Sequence, residues 1–299
     1  MNRNRWLREA PLYLMLLPPV ALVLVFSYGP MVGIIMAFQK FLPQKGFFAS
    51  PLVGLKNFEY MFNMPDVYQV WWNTIFIAIM KIIAGLIVPV FFALLLNEIR
   101  NKAYKRTIQT VIYLPYFLSW VMLAGIMVDI LSPSYGIVNQ FLGLLGIKPI
   151  FFLGNAAVFP YTMVATDVWK SFGFGTIVYL AALTSISPEL YESAIVDGAN
   201  RWRQTIHITL PGMLPIITLM TVLSLGSILD AGFDQIFNLY SPQVYETGDI
   251  IDTVVYRMGI LDRQYGVSTA MGLFKSVIAA AMILLSNYLA NRVANYRIF

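Results

Sequence analysis

The chain contains no cysteine and only one histidine, His207, in 299 residues. The lack of cysteine excludes disulfides and thiolate metal sites, and a single histidine argues against a histidine-based metal centre. Charged residues make up only 12% of the chain, whereas hydrophobic residues make up 59%. A soluble domain of this size needs more charge to cover its surface. With a mean hydropathy of +0.70, the composition predicts a polytopic membrane protein.

A phosphate-binding loop for ATP is also missing. Such a loop has the pattern Gly-x-x-x-x-Gly-Lys-Ser/Thr after a strand, and the nearest string, residues 143–148, has the wrong spacing. We therefore expect that this chain does not bind ATP itself. The net charge of +5 is not concentrated in a long basic run. We interpret it as charge that sets membrane topology, and we expect no nucleic-acid partner.

Six apolar segments follow one another along the chain, and each is long enough to cross about 30 Å of hydrocarbon. We expect spans at about residues 11–38, 72–96, 107–131, 160–186, 214–237 and 268–293. Gly29-Pro30 predicts a kink in the first span. The predicted fold class is all-α, a polytopic membrane protein with six transmembrane helices. We expect residues 1–10 to form an N-terminal tail and residues 11–299 to form a single transmembrane domain.

Lysine and arginine are distributed unequally between the two sides of this topology. Eleven lie in the N-terminal tail, the second and fourth loops and the C-terminal tail, and six lie in the other loops. Cytoplasmic segments carry the excess of basic residues. We therefore expect both termini in the cytoplasm and the chain in the cell membrane.

A short polar stretch, residues 187–211, separates the fourth and fifth apolar segments. Ser187 is a good helix N-cap, and Pro188 suits the first helical position. Gly198 can end that helix in a left-handed conformation, and Asn200 can cap a second helix. The residues predict a helix, a break and a second helix. Taken alone, an ordinary surface loop is an equally good interpretation.

The same stretch resembles the Glu-Ala-Ala loop of ABC-importer permeases. The pattern is shared at Glu192, Ala194, Asp197, Gly198, Ala199, Ile208, Leu210 and Pro211. Ser193 stands where the pattern has an alanine, and Thr205 where it usually has an aromatic or aliphatic residue. In that family the loop is the cytoplasmic coupling helix, which docks in a groove of an ATPase. The resemblance therefore implies an ATPase-coupling role for Glu192, Ala194, Asp197, Gly198, Ala199 and Pro211.

The charged residues to be explained within the predicted spans are Lys81, Asp129, Asp167, Lys170, Asp230, Asp234 and Lys275. Each costs about 2.5–3.5 kcal/mol at the bilayer centre. We expect Asp129 and Asp167 to lie near span ends, and Lys81 and Lys275 are candidates for structural ion pairs.

Asp230 and Asp234 have i,i+4 spacing in the predicted fifth span, with Phe233 and Phe237 on adjoining faces. Carboxylates accept hydrogen bonds from sugar hydroxyls, and aromatic faces stack on sugar rings. We therefore expect these residues to contact a polar substrate. A polar contact between helices is the alternative.

Residues 70–290 resemble the carbohydrate-uptake permeases, which include the larger permease subunit of the maltose importer. The strings 180–183 and 245–249 are similar to the polysaccharide and aldouronate group. In the maltose relative, sugar contacts come from the third, fourth and fifth spans. The matching positions are Tyr116, Trp169, Lys170, Ser171, Phe174, Ser227 and Asp230. Lys170 and Asp230 replace residues that are usually neutral, and a buried lysine facing the path would favour a sugar that carries a carboxylate.

The resemblance implies a non-enzymatic permease subunit of an ATP-driven oligosaccharide importer, without a cofactor or metal of its own. ATP and Mg²⁺ would bind two cytoplasmic ATPase subunits. A second homologous permease and an extracytoplasmic solute-binding protein would complete the complex in the lipid bilayer. An ion-coupled transporter or channel is the alternative, and the absence of catalytic clusters argues against an intramembrane enzyme.

The charge distribution predicts which loops an impermeant thiol reagent can reach. Because the chain has no native cysteine, Asn200→Cys and Ser241→Cys each provide a unique thiol. We expect external reagent to label Ser241→Cys and to miss Asn200→Cys until the membrane is permeabilised. The reverse labelling pattern would contradict this topology.

Overall fold

The computed structural model describes residues 3–293. This part of the chain is mostly helical, and its β-structure is limited to an isolated bridge between Gln39 and Leu52. The predicted all-α fold class is confirmed. The chain divides into two compact units, Met1–Pro65 with Val255–Phe274 and Asp66–Val254 with Lys275–Phe299. The assignment of residues 11–299 to one permease domain stays a prediction.

The first unit begins with a long helical segment. Helix α1 (Arg3–Val23) continues as a π-helical turn (Leu24–Tyr28) and then as a 3-10 helix (Gly29–Phe38). The helical geometry thus changes at Gly29, where the sequence predicts a kink. The short helices α2 (Gly46–Ala49) and α3 (Lys56–Phe62) follow. Asn57 ties α3 to the long segment, because its side-chain amide donates to the backbone carbonyls of Ala37 and Gln39, both at 2.9 Å.

The second unit begins with the longest α-helix of the described residues and contains most of the remaining elements. Its elements up to the polar loop are α4 (Val67–Glu98), α5 (Lys102–Tyr113), a 3-10 turn (Leu114–Phe117), α6 (Trp120–Ile130), α7 (Ile137–Leu144), α8 (Phe159–Thr184) and α9 (Pro188–Val196). After the loop come α10 (Arg201–Gln204), a π-helical turn (Thr205–Thr209), α11 (Leu210–Leu225), α12 (Phe233–Leu239), a 3-10 turn (Pro242–Val244), α13 (Tyr245–Gly248) and α14 (Ile251–Tyr256).

The last described elements are a π-helical turn (Arg257–Leu261) and α15 (Tyr265–Val293). The turn and the first part of α15 belong to the first unit, and the second unit resumes at Lys275.

The core of the second unit lies where α4, α6, α8 and α12 meet. Ile77 on α4, Phe159 and Met163 on α8, and Ile236 on α12 are all fully buried in one apolar cluster. A second cluster surrounds Tyr179 on α8, which packs with residues of α4 and α11. These contacts make α4 and α8 the centre of the unit, on which the interrupted helices are arranged.

Apolar helices of the described chain agree with a multi-pass membrane protein. Four segments are long and apolar enough to cross a membrane, at Ala10–Phe38, Val67–Glu98, Arg201–Leu225 and Tyr265–Tyr288. Two further segments pass the same criterion only as bent pairs, which brings the number to as many as six. The predicted second, fourth and sixth spans correspond to α4, α8 and α15, with small shifts at their ends.

The third predicted span, about residues 107–131, is wrong as a continuous helix. The chain bends by 107° between Lys102–Phe117 and Trp120–Ile130. Pro115 lacks a backbone N–H and lies in the 3-10 turn that ends the first part. Ser119 caps the second part by accepting a hydrogen bond from the Met122 N–H. Both residues are visible in the sequence, but the apolar run around them conceals the break.

The fifth predicted span, about residues 214–237, corresponds to the apolar segment Arg201–Leu225, but its predicted end is wrong. The helix ends at Leu225, a non-helical stretch occupies residues 226–232, and α12 begins at Phe233. Gly232 has a φ of 87°, a left-handed conformation that glycine adopts without strain. Asp230 and Asp234 consequently do not share one helical face, and the expected i,i+4 arrangement does not occur.

The close approach of α5 to α8 at Gly173 leads to a prediction about stability. A Cβ at Gly173 would overlap the Ile112 carbonyl group, whereas a Cβ at Gly125 on α6 would meet open space. We expect Gly173→Ala to destabilise the protein by about 1–3 kcal/mol through overpacking. Gly125→Ala is the matched control and should be neutral or stabilising, because alanine favours a helix. Thermal denaturation in detergent measures both, and equal melting temperatures would contradict this packing.

Candidate functional site

The polar loop at residues 187–211 has the predicted helix–break–helix structure. The Ser187 hydroxyl accepts a hydrogen bond from the Glu189 N–H at 3.3 Å and caps α9. Gly198 has a φ of 73°, and the Asn200 side chain caps α10 by accepting from the Arg203 N–H at 2.9 Å. The local chemistry of these residues therefore determines the loop structure, as the sequence indicates.

The loop presents its apolar side chains outward. Ile195 is 62% exposed, Val196 is 87% exposed and Trp202 is 72% exposed. Glu192, Asp197 and Gly198 are exposed as well. Exposed apolar side chains grouped in this way are typical of a protein interaction site.

The loop is held together by hydrogen bonds between its own residues. The Tyr191 hydroxyl and the Thr209 hydroxyl share a hydrogen bond of 3.0 Å. The buried Gln204 donates from its amide to the Ala199 carbonyl at 2.9 Å. A cavity of about 270 Å³ lies among the loop residues Ala194, Asp197, Ala199, Arg203, Gln204, His207 and Ile208. The predicted coupling residues Ala194, Asp197 and Ala199 thus come together, whereas Pro211 lies in the first turn of α11.

The predicted substrate residues fall into separate groups, of which the first is aromatic. The rings of Tyr116 and Phe174 stack at 4.1 Å with an interplanar angle of 4°. The Lys170 ammonium donates to the Tyr116 carbonyl at 2.8 Å and lies over the rings of Tyr116 and Trp120, at 5.2 and 5.7 Å from their centres. Trp169 is 41% exposed, and the Ser171 hydroxyl donates to the Asp167 carbonyl at 2.8 Å.

The hydrogen-bond acceptor of the Lys170 ammonium is the backbone carbonyl of Tyr116 rather than the carboxylate of Asp230 or Asp234. That carbonyl lies in the turn before α6, where the helix is interrupted and backbone groups lack helical partners. Sequence spacing cannot reveal this contact, because the two residues are 54 positions apart.

A second group is centred on Lys81, which is buried on α4. Its ammonium donates to the Ala231 carbonyl at 2.7 Å and to the side-chain carbonyl of Gln235. It lies 3.5 Å from an Asp167 carboxylate oxygen. The predicted ion pair of Lys81 is confirmed. The prediction that Asp167 lies near a span end is wrong, because Asp167 occupies the third turn of α8 and faces this lysine.

A cavity of about 320 Å³ opens beside this group. Its lining consists of Ala78, Lys81, Ile82, Gly85, Asp167, Ser224, Ser227, Asp230 and Gly232. Two of the predicted substrate residues, Ser227 and Asp230, are in this set. Lys81, Asp167 and Ser224 are lining residues that the sequence prediction missed. The sequence did contain a signal for Lys81 and Asp167, because charged residues inside apolar segments often mark transport pathways.

The remaining predicted substrate residues, Phe233 and Asp234, lie on α12 and outside the cavity lining. The Phe233 and Phe237 rings stack at 5.2 Å, and Asp234 is exposed. Two other sequence expectations are confirmed. Asp129 lies in the last turn of α6, and Lys275 pairs with both carboxylate oxygens of Asp252, at 2.6 and 2.7 Å.

Helices long and apolar enough to span a membrane, a cavity lined by charged side chains and an exposed polar loop together indicate a multi-pass membrane permease. Residues 85–296 match the family described as the binding-protein-dependent transport system inner membrane component, and the chain belongs to this family. Its members are permease subunits of ABC transporters and are not enzymes.

Individual relatives match over almost the whole chain. Protein LplB of Bacillus subtilis is 39% identical over 98% of this chain and 90% of its own length. The polygalacturonan/rhamnogalacturonan transport system permease protein YteP of the same organism is 36% identical over 98% of this chain and 91% of its own length. A crystal structure of a bacterial ABC transporter involved in the import of the acidic polysaccharide alginate contains a similar chain. That chain has a TM-score of 0.88 and 39% identity, with coverage of 97% of this chain and 98% of that chain.

Proposed function

We propose that this chain is the permease subunit of an ATP-driven importer of oligosaccharides, and that its substrate carries carboxylates. The observation that carries the proposal is the likeness to the alginate transporter chain over 97% of the length. The relative YteP, named for polygalacturonan and rhamnogalacturonan transport, supports the same substrate class.

The chemistry of the second unit suits such a substrate. Asp167, Asp230 and Ser227 supply hydrogen-bond acceptors along the cavity, and sugar hydroxyls are donors. Lys170 lies one helical turn beyond Asp167 on α8, about 5 Å along the axis. Its ammonium has three donors, of which one is used by the Tyr116 carbonyl. The others are available to a uronate carboxylate while sugar hydroxyls occupy the cavity.

The exposed loop around α9 supports a partner ATPase. Its apolar side chains Ile195, Val196 and Trp202 would be covered by an ATPase groove, with Glu192 and Asp197 at the edge of the contact. A second permease subunit would supply the other half of the pathway, and two ATPases would bind ATP and Mg²⁺. A similar alginate transporter has been crystallised in complex with a periplasmic protein that holds an alginate pentasaccharide, which supports delivery by an extracytoplasmic binding protein.

The proposed mechanism is alternating access. Closure of the ATPases on ATP would move both coupling loops, and the hydrogen bonds of Tyr191 and Gln204 would transmit the movement to α11. The cytoplasmic position of the loop and of both termini is part of this proposal. Uptake and ATP hydrolysis by the assembled importer test it, with uronate and neutral oligosaccharides of equal length. Uptake that continues without ATPase subunits would contradict it.

The coupling role of the loop predicts a specific effect of Gly198→Val. Gly198 and Gly146 both have positive φ, 73° and 76°, and both would place a Cβ in open space. Valine is strained at either position, so Gly146→Val controls for strain alone. We expect Gly198→Val to remain in the membrane but to lose ATPase association or the coupling of hydrolysis to uptake. Normal association and normal uptake in Gly198→Val would contradict the role of the loop.

If the Lys170 ammonium recognises the carboxylate of the substrate, Lys170→Met should have a specific effect. Because the observed acceptor is a backbone carbonyl rather than a carboxylate, its removal strands no buried charge, and the complex should assemble. We expect uptake of uronate oligosaccharides to fall tenfold or more, because one charge-assisted hydrogen bond of about 1.5–3 kcal/mol is lost. Neutral oligosaccharides should be affected less, and Lys148→Met, an exposed lysine, controls for net charge. An equal loss for both sugar types would contradict the acidic substrate.

A further inference from the structure

The break between α11 and α12 leaves backbone groups that need hydrogen-bond partners outside a helix. Backbone groups within the hydrocarbon must find partners, and a break in a helix leaves some of them without a helical one. Residues 226–232 form such a break. The Asp230 carboxylate accepts from the Gly232 N–H at 3.1 Å, while the Ala231 carbonyl accepts from the Lys81 ammonium at 2.7 Å.

The amide of Gln235 connects this break to α8. Gln235 is fully buried, and its NH₂ group donates to the Met163 carbonyl at 2.8 Å and to the Thr166 hydroxyl at 2.7 Å. Its carbonyl oxygen is thereby directed at the Lys81 ammonium. The three acceptors around Lys81 thus come from the break, from α12 and from α8, which matches the three donors of an ammonium group.

Gly232 fits this arrangement for two reasons. Its φ of 87° lies in the left-handed region, where glycine has no steric penalty. A Cβ at this position would also lie 2.7 Å from the Lys81 nitrogen. Any larger residue would therefore displace the ammonium from the break.

We propose that Lys81 is a positioning residue, whose ammonium fixes the break between α11 and α12 so that Ser227 and Asp230 face the cavity. Its donors are directed at the Ala231 carbonyl, Gln235 and Asp167, so Lys81 acts on the substrate through the cavity wall. The relevance to sugar transport rests on the proposed function, whereas the positioning itself does not. The competing account is that Lys81 and Asp167 form an ion pair that only holds α4 to α8.

Thiol labelling at Ser227→Cys distinguishes these accounts without any sugar. The chain has no native cysteine, so this thiol is unique in the chain. The rate of its reaction with a small methanethiosulfonate reagent measures how accessible residue 227 is in the cavity wall. Measurements use the full-length permease in its assembled complex. We expect Lys81→Met to change the labelling rate several-fold. Gly232→Ala should change it too, because its Cβ displaces the ammonium.

The double variant Lys81→Met with Asp167→Asn provides the decisive comparison. It removes both charges, so no unpaired carboxylate remains in the membrane, but it does not restore the donor to the Ala231 carbonyl. A positioning role predicts that the labelling rate stays altered in the double variant. Lys275→Met with Asp252→Asn is the matched control, because it removes an ion pair that lies elsewhere in the second unit. Its labelling rate should be unchanged.

The possible results separate this inference from the proposed function. An unchanged labelling rate in Lys81→Met, or its full restoration in the double variant, would overturn the positioning role. Failure of both variants to assemble would also count against it, since the pair would then be required for helix packing itself. If the complex without substitutions takes up no sugar, that result contradicts the proposed function but leaves the positioning role of Lys81 to the labelling experiment.

Discussion

The requirement that every buried backbone group and charge find a partner governs this structure. Lys81 satisfies it for the fifth span, where its ammonium reaches the Ala231 carbonyl in the break before α12. Lys170 does the same for the third span, where its ammonium reaches the Tyr116 carbonyl before α6. Each interrupted span is therefore held by a lysine from a neighbouring continuous helix, α4 or α8. The break at residues 226–232 contributes Ser227, Asp230 and Gly232 to the lining of the cavity.

The two lysines differ in how much donor capacity they leave for a ligand. Lys81 is buried and directs its ammonium at three acceptors, so it organises the wall. Lys170 is only partly buried and lies over two aromatic rings, so it can exchange a π contact for a carboxylate. The carboxylates of the chain can accept hydrogen bonds from hydroxyl groups, and the cation beside them can pair with a negative charge. A ligand that has both kinds of group therefore suits this site.

The coupling loop follows a different physical rule from that of the membrane region. Its caps and its left-handed glycine are local, and each depends on residues within a few positions. Its exposed apolar side chains, Ile195 and Val196 among them, are typical of a surface that another protein covers. Hydrogen bonds join both helices of the loop to the turn before α11.

The sequence by itself determined the membrane class, the all-α fold and the structure of the polar loop, because composition, hydropathy and capping are local properties. It also identified Lys81 and Lys275 as ion-pair residues, since charges are costly in hydrocarbon. Only the tertiary structure decided where the third and fifth spans break, because hydropathy does not register a change of direction. It also decided that Lys170 reaches a backbone carbonyl and that Asp167 faces Lys81, because contacts between distant helices depend on how those helices pack.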